Sequence, residues 1–231
     1  MSPKKIVFLA SGIFGAIGIL VSVVIIAING GFSGDGPSIL NPPTSEDQWL
    51  IGSNIVDGMN LTYSLTSAAA GGLSNLRDST VSMKFHGIKD NWDINFKIKN
   101  GSMVKDVNAN FSKKQLLMTD PISEENIKFI QPIEGSILAI RDLAREPKYL
   151  VVGAVWDKIF TGSSTINVKI ASTDTISVST NSFKVYVLEY PVGNSLSKIY
   201  LNKDMPLPIK AEVFDENDKI LYEYELQSVI K

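Results

Sequence analysis

The sequence predicts an α+β domain in which an antiparallel sheet is covered by one or two helices, with a transmembrane helix in front of it. Residues 6–28 carry no charge. After them, apolar and polar residues alternate with a period of two in about nine segments, which is typical of half-buried antiparallel strands. One internal segment instead has apolar residues at helical spacing. Because the helical segment lies among strands and does not alternate with them, the pattern favours α+β.

The first element is a run of 23 uncharged residues that follows Lys4 and Lys5 directly. At 1.5 Å per residue such a helix is roughly 34 Å long, enough to cross a bilayer. The two lysines favour the cytoplasmic side, so we expect residues 1–5 inside and everything after Ile28 outside the cell membrane. The alternative is a cleaved secretory leader. Its apolar core would be about 7–15 residues long and end at a small-x-small site, so the sequence favours a retained anchor.

Small residues form a stripe inside this span. Gly12, Gly15 and Ala16, together with Ser11, make two small-xxx-small pairs, which allow helix backbones to approach closely in a membrane. Glycine is also common in transmembrane helices without such a role. The stripe is therefore a candidate helix-packing surface, and the plain interpretation stays open.

Residues 29–48 are rich in Gly and Pro and are expected to form a tether, with the folded domain at residues 49–231. The chain after the span has 20 basic and 24 acidic residues, a net charge of −4 that argues against a nucleic-acid partner. The absence of Cys excludes disulfides and thiolate metal sites, and a single histidine excludes a multi-histidine zinc site within one copy. We expect no cofactor and no metal.

The strands follow in order. Met59–Leu65, Val81–Phe85 and Trp92–Ile98 alternate strictly, and Asn100-Gly101 predicts a hairpin into 103–111. Later strands are predicted around the apolar positions of 166–170, 176–178, 183–187, 207–213 and 220–226. A helix is predicted over Pro132–Arg145, with Pro132 in its first turn and Pro147 beyond its end. A second short helix is predicted over Pro121–Ile130, capped by Ser123.

The C-terminal third carries a recognisable pattern. Residues 197–215 contain Asp204, then Pro206-Leu207-Pro208-Ile209-Lys210 and a strand, and 220–226 form a closing strand. This stretch resembles the closing hairpin of the LolA-like lipoprotein-carrier superfamily, with Asp218 and Lys219 where that family often has glycine. The anchor, tether, missing cysteines and sequons also resemble archaeal envelope proteins. The first resemblance implies an open half-barrel closed by helices, with an apolar cavity that holds acyl chains.

If such a cavity exists, we expect its wall to include the helical stripe and apolar strand residues opposite it. The candidate wall residues are Ile133, Ile137, Ile140, Phe96 and Phe183. The alternative for the large apolar side chains is an ordinary packed core.

Three N-x-[ST] sequons make Asn60, Asn100 and Asn110 candidate glycosylation sites, placed on polar strand faces or in a turn. Chance occurrence in a chain rich in Asn, Ser and Thr is the alternative. His86 has no nucleophile or carboxylate partner in a known motif, so a surface role is favoured over catalysis. The acidic cluster at 215–218 lacks the spacing of a calcium loop and is expected to be a solvated hairpin tip.

The sequence therefore indicates a non-enzymatic, single-pass cell-membrane protein whose domain lies outside the cytoplasm. The first hypothesis is a domain that binds an apolar or lipid-like ligand. The second is a structural or accessory subunit of a membrane or cell-envelope complex, whose partners are other subunits. A hydrolase would need a polar cluster that no motif in the sequence indicates.

Overall fold

The computed structural model describes residues 44–68, 76–160 and 165–231. The predicted transmembrane helix 6–28, the stub 1–5, residues 29–43 of the tether and the stripe Gly12, Gly15 and Ala16 lie outside these residues. None of the helices in the described ranges has the length and hydrophobicity needed to cross a bilayer.

The described chain contains twelve strands and one α-helix. They are β1 (Gln48–Trp49), β2 (Asn60–Ala68), β3 (Ser79–Ile88), β4 (Asn91–Asn100), β5 (Met103–Ser112), α1 (Glu124–Glu134), β6 (Lys148–Tyr149), β7 (Val155–Phe160), β8 (Thr165–Val178), β9 (Asn181–Val192), β10 (Ser195–Leu201), β11 (Lys210–Phe214) and β12 (Ile220–Ile230). Ten strands form one sheet in the order β5-β4-β3-β2-β12-β11-β10-β9-β8-β7, and β1 pairs with β6. All pairs are antiparallel, which confirms the α+β class with an antiparallel sheet.

The sheet is not closed, so β5 and β7 are its two edges. Cα atoms of β8 nevertheless come within 8 Å of Cα atoms of β12, although three strands lie between them in the sheet. Four strand spacings in a flat sheet would separate them by about 19 Å. The sheet is therefore far from flat between these strands.

The predicted alternation explains the strands of the first meander. In β3, Val81, Met83 and Phe85 are buried while the residues between them face outward. The Asn100-Gly101 signal marks the β4–β5 turn as predicted, with Gly101 at a φ of 55°. Because a strand's side chains alternate between faces, one face of the sheet carries the core and the other is polar.

On the polar face, charges align across five neighbouring strands. The register places Lys169 opposite Glu189, Glu189 opposite Lys198, and Lys198 opposite Glu212, which in turn faces Glu223. The closest of these contacts joins Lys198 Nζ and Glu189 Oε1 at 3.7 Å. The three pairs of opposite charge favour this register over a slip by one residue, which would also turn the apolar set outward, whereas the like-charged Glu212 and Glu223 oppose it.

The helix prediction needs correction. The structure has its α-helix at Glu124–Glu134, so the predicted helix over 132–145 is wrong and Pro132 lies inside the end of α1. Gly135 caps the helix, and the chain continues through a turn into a 3-10 helix at Ala139–Asp142. Ser123 holds the N-cap position as predicted, but its backbone carbonyl makes the bonds, accepting the N–H of Asn126 and Ile127. Pro132 lacks a donor and the following Gly135-Ser136 favours a turn, so the helical ladder stops there.

The folded part starts earlier than the predicted boundary at Trp49. Thr44 caps a 3-10 turn at Ser45–Asp47, and the Asp47 carbonyl accepts the N–H of Leu150 at 2.8 Å. The Asp47 carboxylate contacts Lys203 Nζ at 3.1 Å. Residues 44–48 of the predicted tether therefore belong to the folded domain.

The contribution of the Asp47 carboxylate to stability should depend on pH. Hydrogen bonds from Thr44 and from Lys203 hold the pKa of Asp47 below its ordinary value of 3.8. A carboxyl whose pKa is lowered by folding adds stability above its unfolded pKa and loses it as the pH falls through the folded pKa. We expect wild type to unfold at higher denaturant than Asp47→Asn at pH 7, and the difference to shrink below about pH 4. Urea unfolding of both proteins between pH 2 and pH 7 measures this; a difference that is constant with pH would contradict it.

Two turns at one end of the sheet lock together at Gly193, between β9 and β10. Gly193 has a φ of 60°, and a Cβ there would lie 2.9 Å from Asp218 Oδ1 and from the Glu216 carbonyl oxygen. Asp218 accepts the Asn194 backbone N–H at 2.7 Å, and its Oδ2 accepts Asn194 Nδ2 at 2.9 Å. These bonds lower the pKa of Asp218. Within the acidic tip at 215–218, the Asp218 carboxylate thus holds the β9–β10 turn.

Gly193→Ala should destabilise the fold by about 2 kcal/mol or more, because it combines a left-handed φ with a close contact to backbone. Gly58→Ala is the matched control. Gly58 has a φ of 82° but nothing within 4 Å of its Cβ position, so only the cost of the backbone conformation, about 1 kcal/mol, applies. Denaturant unfolding of both variants measures the difference. Equal losses of unfolding free energy in the two variants would mean that the turn containing Asp218 can move aside at no cost.

Candidate functional site

The candidate site is the apolar face of the sheet under α1 and the 3-10 helix that follows it. Ile133, Ile137, Ile140 and Phe96 are all buried in one continuous apolar cluster, and Phe183 is half-buried against it. Phe96 packs on Phe111 with ring centroids 5.8 Å apart. The structure therefore brings the five candidate wall residues to the same core, with the helical stripe filling the space over the strands.

Two ion pairs lie at the two ends of α1. Arg141 Nη1 contacts Glu134 Oε1 at 3.0 Å, and both side chains are less than a fifth exposed. The same nitrogen donates to the Leu116 carbonyl at 3.1 Å, which joins the 3-10 helix to the loop after β5. At the other end of α1, Lys105 Nζ contacts Glu125 Oε1 at 2.6 Å. The sequence analysis missed the Arg141–Glu134 pair. Two residues seven apart in the predicted helix would be about 10 Å apart along its axis, so the contact depends on the turn that follows Glu134.

Four tyrosines extend the core toward β9 and β12. Tyr63 and Tyr224 meet edge to face at 5.7 Å, and Tyr224 stacks on Tyr222 at 6.0 Å. The buried Tyr63 hydroxyl donates to the Pro208 carbonyl at 3.0 Å. Burial raises the pKa of Tyr63, Tyr222 and Tyr224 well above the ordinary value and that of Tyr190 to about 12. All four hydroxyls are therefore protonated at neutral pH and act as hydrogen-bonding groups.

Two clefts open at the surface of the described chain. One, of about 210 Å³, is lined by Gln115, Leu117, Arg141, Asp142 and Arg145. The other, of about 440 Å³, lies between α1 and the β4–β5 turn and is lined by Asn100, Met103, Lys128 and Phe129. Neither cleft includes a candidate wall residue.

His86 lines neither of these clefts. His86 is on the polar face near the end of β3, with its Nδ1 3.9 Å from Asp57 Oδ1 and its side chain about half exposed. Asp57 also accepts the Gly87 N–H at 2.8 Å, so it fixes the chain beside β3. Among the described residues, no three His, Asp or Glu side chains are grouped to hold a metal ion.

All three sequon asparagines are half-buried and hydrogen-bonded. Asn100 Nδ2 donates to the Arg77 carbonyl at 3.0 Å, and Asn110 Nδ2 donates to Asp120 Oδ2 at 2.8 Å. Asn60 instead uses Oδ1, which accepts the Ser82 hydroxyl at 2.7 Å. Because a glycan is attached through Nδ2, modification of Asn100 or Asn110 changes the nitrogen that donates these bonds, whereas the bond of Asn60 is made by Oδ1.

Two further features were not visible in the sequence: the Trp49–Trp156 stack, with ring centroids 5.9 Å apart, and the unequal protection of the two sheet edges. Both depend on which distant segments become neighbours. Comparison of the chain with protein-family models, with curated proteins and with solved structures gives no match.

Proposed function

We propose that this chain is a membrane-anchored, non-enzymatic accessory subunit whose folded domain lies outside the cytoplasm and docks to other subunits of a membrane or envelope complex. The observation that carries this proposal is the occupied inner face of the sheet. Ile133, Ile137 and Ile140 are at most 2% exposed and pack into the same core as Phe96. Because the inner face is filled, partners would bind the outer surface of the domain.

An open half-barrel of the LolA-like kind is the shape that we propose for the sheet. Three features support it: ten antiparallel strands in one unclosed sheet, the close approach of β8 and β12, and a helical segment over the apolar face. The buried run Met205-Pro206-Leu207-Pro208, which precedes β11, is consistent with the resemblance in the C-terminal third.

Anchoring by residues 6–28 is the second part of the proposal. The uncharged run supplies the hydrophobic length, and 15 residues separate its end from Thr44. A flexible linker of that length has a root-mean-square span of about 20 Å. The domain would stay close to the membrane surface, where subunits of the same complex can reach it.

Binding of an apolar or lipid-like ligand is the second candidate function. It is favoured by the way α1 covers the sheet: the ion pair at its first turn joins Lys105 to a Glu125 side chain that is 72% exposed, so that contact contributes little. Movement of α1 away from the sheet would uncover Phe96 and the isoleucine stripe together. A lipid would then replace the helix as the cover of the apolar face.

Native mass spectrometry of the full-length protein, extracted from its own membrane in mild detergent, tests these functions. We expect a defined complex with other subunits and no bound mass of lipid size. A monomer that carries such a mass would favour the ligand-binding function, and a bare monomer would overturn the accessory function. Recovery of a chain that lacks residues 1–28 in the soluble fraction would overturn the anchor.

A further inference from the structure

The two edges of the sheet are protected unequally. At the β7 edge, Trp156 is a bulge residue between the pairs of Val155 and Asp157, and its carbonyl accepts Lys148 Nζ at 3.0 Å. The Asp157 carboxylate accepts the N–H of Lys158 at 2.7 Å. Bulges and charged side chains that occupy backbone groups are the usual means of keeping an edge from pairing with another strand. The bulge and these two occupied backbone groups therefore hinder strand addition at the start of the β7 edge.

The β5 edge is covered over only part of its length. Ser112 N–H donates to the Leu117 carbonyl at 2.8 Å, and Thr119 N–H donates to the Asn110 carbonyl at 2.9 Å. These bonds show that the even-numbered residues of β5 direct their backbone groups away from β4. Val104, Asp106 and Asn108 share that direction, and no backbone hydrogen bond from the described residues reaches their outward groups. Within the described part of the chain, three N–H donors and three carbonyl acceptors thus have no backbone partner along about 14 Å of edge.

The surroundings of this open edge are apolar at one point and carry charges of both signs: four lysines lie near it, while Asp106 lies on the edge itself and Glu125 pairs with Lys105. The cleft of about 440 Å³ lies beside its start, with Met103 and Phe129 as apolar lining. Lys105 and Lys128 place their Nζ atoms 5.7 Å and 5.2 Å from the Phe129 ring centroid. On the other face of the sheet, the exposed Lys97 and Lys99 pair in register with Asp106 and Val104.

We propose that the open stretch Val104–Asn108 is a strand-addition site for an extended, acidic segment of a partner protein. Such a segment pairs with the open backbone groups, places an apolar side chain in the Met103–Phe129 cleft and directs its carboxylates toward Lys97, Lys99 and Lys128. The proposal rests on the accessory function and names the surface that carries it.

A second copy of this chain fits the edge less well. Two β5 strands that pair antiparallel about Asp106 place the two Asp106 side chains opposite each other. Pairing about Lys105 sets Lys105 against Lys105 in the same way. Like charges directly opposite each other in a sheet are destabilising, so these two registers are unfavourable for a second copy.

A defined peptide tests the site first. The probe is acetyl-Glu-Val-Glu-Leu-Glu-Val-Glu-amide, and its control has Lys in place of each Glu. With full-length protein in mild detergent, we expect the acidic peptide to slow amide hydrogen exchange in fragments that span 103–109 and to bind at least tenfold more tightly than the basic one. Unchanged exchange at saturating peptide, or equal binding of the two peptides, overturns the proposal.

Two substitutions at one position then separate the site from the function. Asp106→Pro removes an outward N–H that makes no bond to β4, so the fold should keep its unfolding midpoint while peptide affinity falls at least tenfold. Asp106→Asn keeps the donor and removes a repulsive charge, so affinity should hold or rise. Lys128→Glu should lower affinity for the acidic peptide only.

Native mass spectrometry of the same variants distinguishes a failure of the strand-addition site from a failure of the accessory function. Loss of the complex in Asp106→Pro but not in Asp106→Asn supports the edge. A complex that survives in both variants overturns the edge and leaves the accessory function standing. A wild-type protein that is monomeric overturns the accessory function, and with it the proposal that this edge serves a partner.

Discussion

Trp49→Ala should lower the free energy of unfolding by about 3–5 kcal/mol, the range found when a large buried aromatic residue is truncated. Trp49 is 1% exposed, although it lies within a few residues of the start of the folded chain. Its Nε1 donates to the Met205 carbonyl at 2.8 Å, and its ring stacks on Trp156. The substitution leaves a cavity and an unpaired carbonyl at once. Urea unfolding of the full-length protein in detergent, followed by far-UV circular dichroism, measures the loss.

Trp49→Phe is the control that separates packing from hydrogen bonding. Phenylalanine keeps most of the buried ring but cannot donate to Met205, so we expect a loss of about 1–3 kcal/mol. If residues 44–49 were only the end of a linker, both substitutions would stay within about 0.5 kcal/mol of wild type. That outcome would move the start of the folded domain to a later residue.

Ile133→Ala should lower the free energy of unfolding by about 2–5 kcal/mol, because Ile133 has no exposed surface and belongs to the apolar core, as do Ile137 and Ile140. Ile88→Ala is the matched control, since Ile88 is 52% exposed at the β3–β4 turn. Its loss should stay within about 0.5 kcal/mol. Denaturant unfolding of the two variants side by side tests whether the inner face is packed core.

The Ile133→Ala variant and its Ile88→Ala control also help to decide between the two candidate functions. In a packed core, Ile133→Ala lowers stability and adds no binding of apolar probes beyond that of wild type. In a ligand-binding domain whose cover lifts, the substitution enlarges an existing cavity, so stability changes little and the affinity for a fatty-acid probe shifts. A loss below 1 kcal/mol together with altered fatty-acid binding would reverse our ranking of the two functions.

Local patterns in the sequence carried much of the strand prediction. The alternation in β3 and β4 matches the burial of Val81, Met83, Trp92 and Ile94, because a side chain's face follows directly from its position in a strand. The helical stripe identified Ile133, Ile137 and Ile140 as buried, yet the helix itself ends at Glu134. A turn followed by a 3-10 helix can bury residues at the same spacing as an α-helix, so the spacing alone did not determine the type of secondary structure.

The candidate site was predictable only as a set of apolar residues. The sequence could not say whether their side chains leave a cavity or fill it, since that depends on the distance between α1 and the sheet. It also could not find the open stretch of β5. That stretch exists because the segment 117–119 covers only Asn110 and Ser112, while on the opposite edge Lys148 binds the carbonyl of a bulge residue.

By itself, the sequence determined the alternating strands, the Asn100-Gly101 turn and the α+β class, because these depend on neighbours within a few residues. The tertiary structure decided that Trp49 belongs to the core, that the three isoleucines join the same apolar cluster as Phe96, and that no described residue bonds the outward backbone groups of Val104–Asn108. The reason is sequence separation: Trp49 meets Met205 across 156 positions, and no local pattern reports which distant segment will supply a side chain's neighbours.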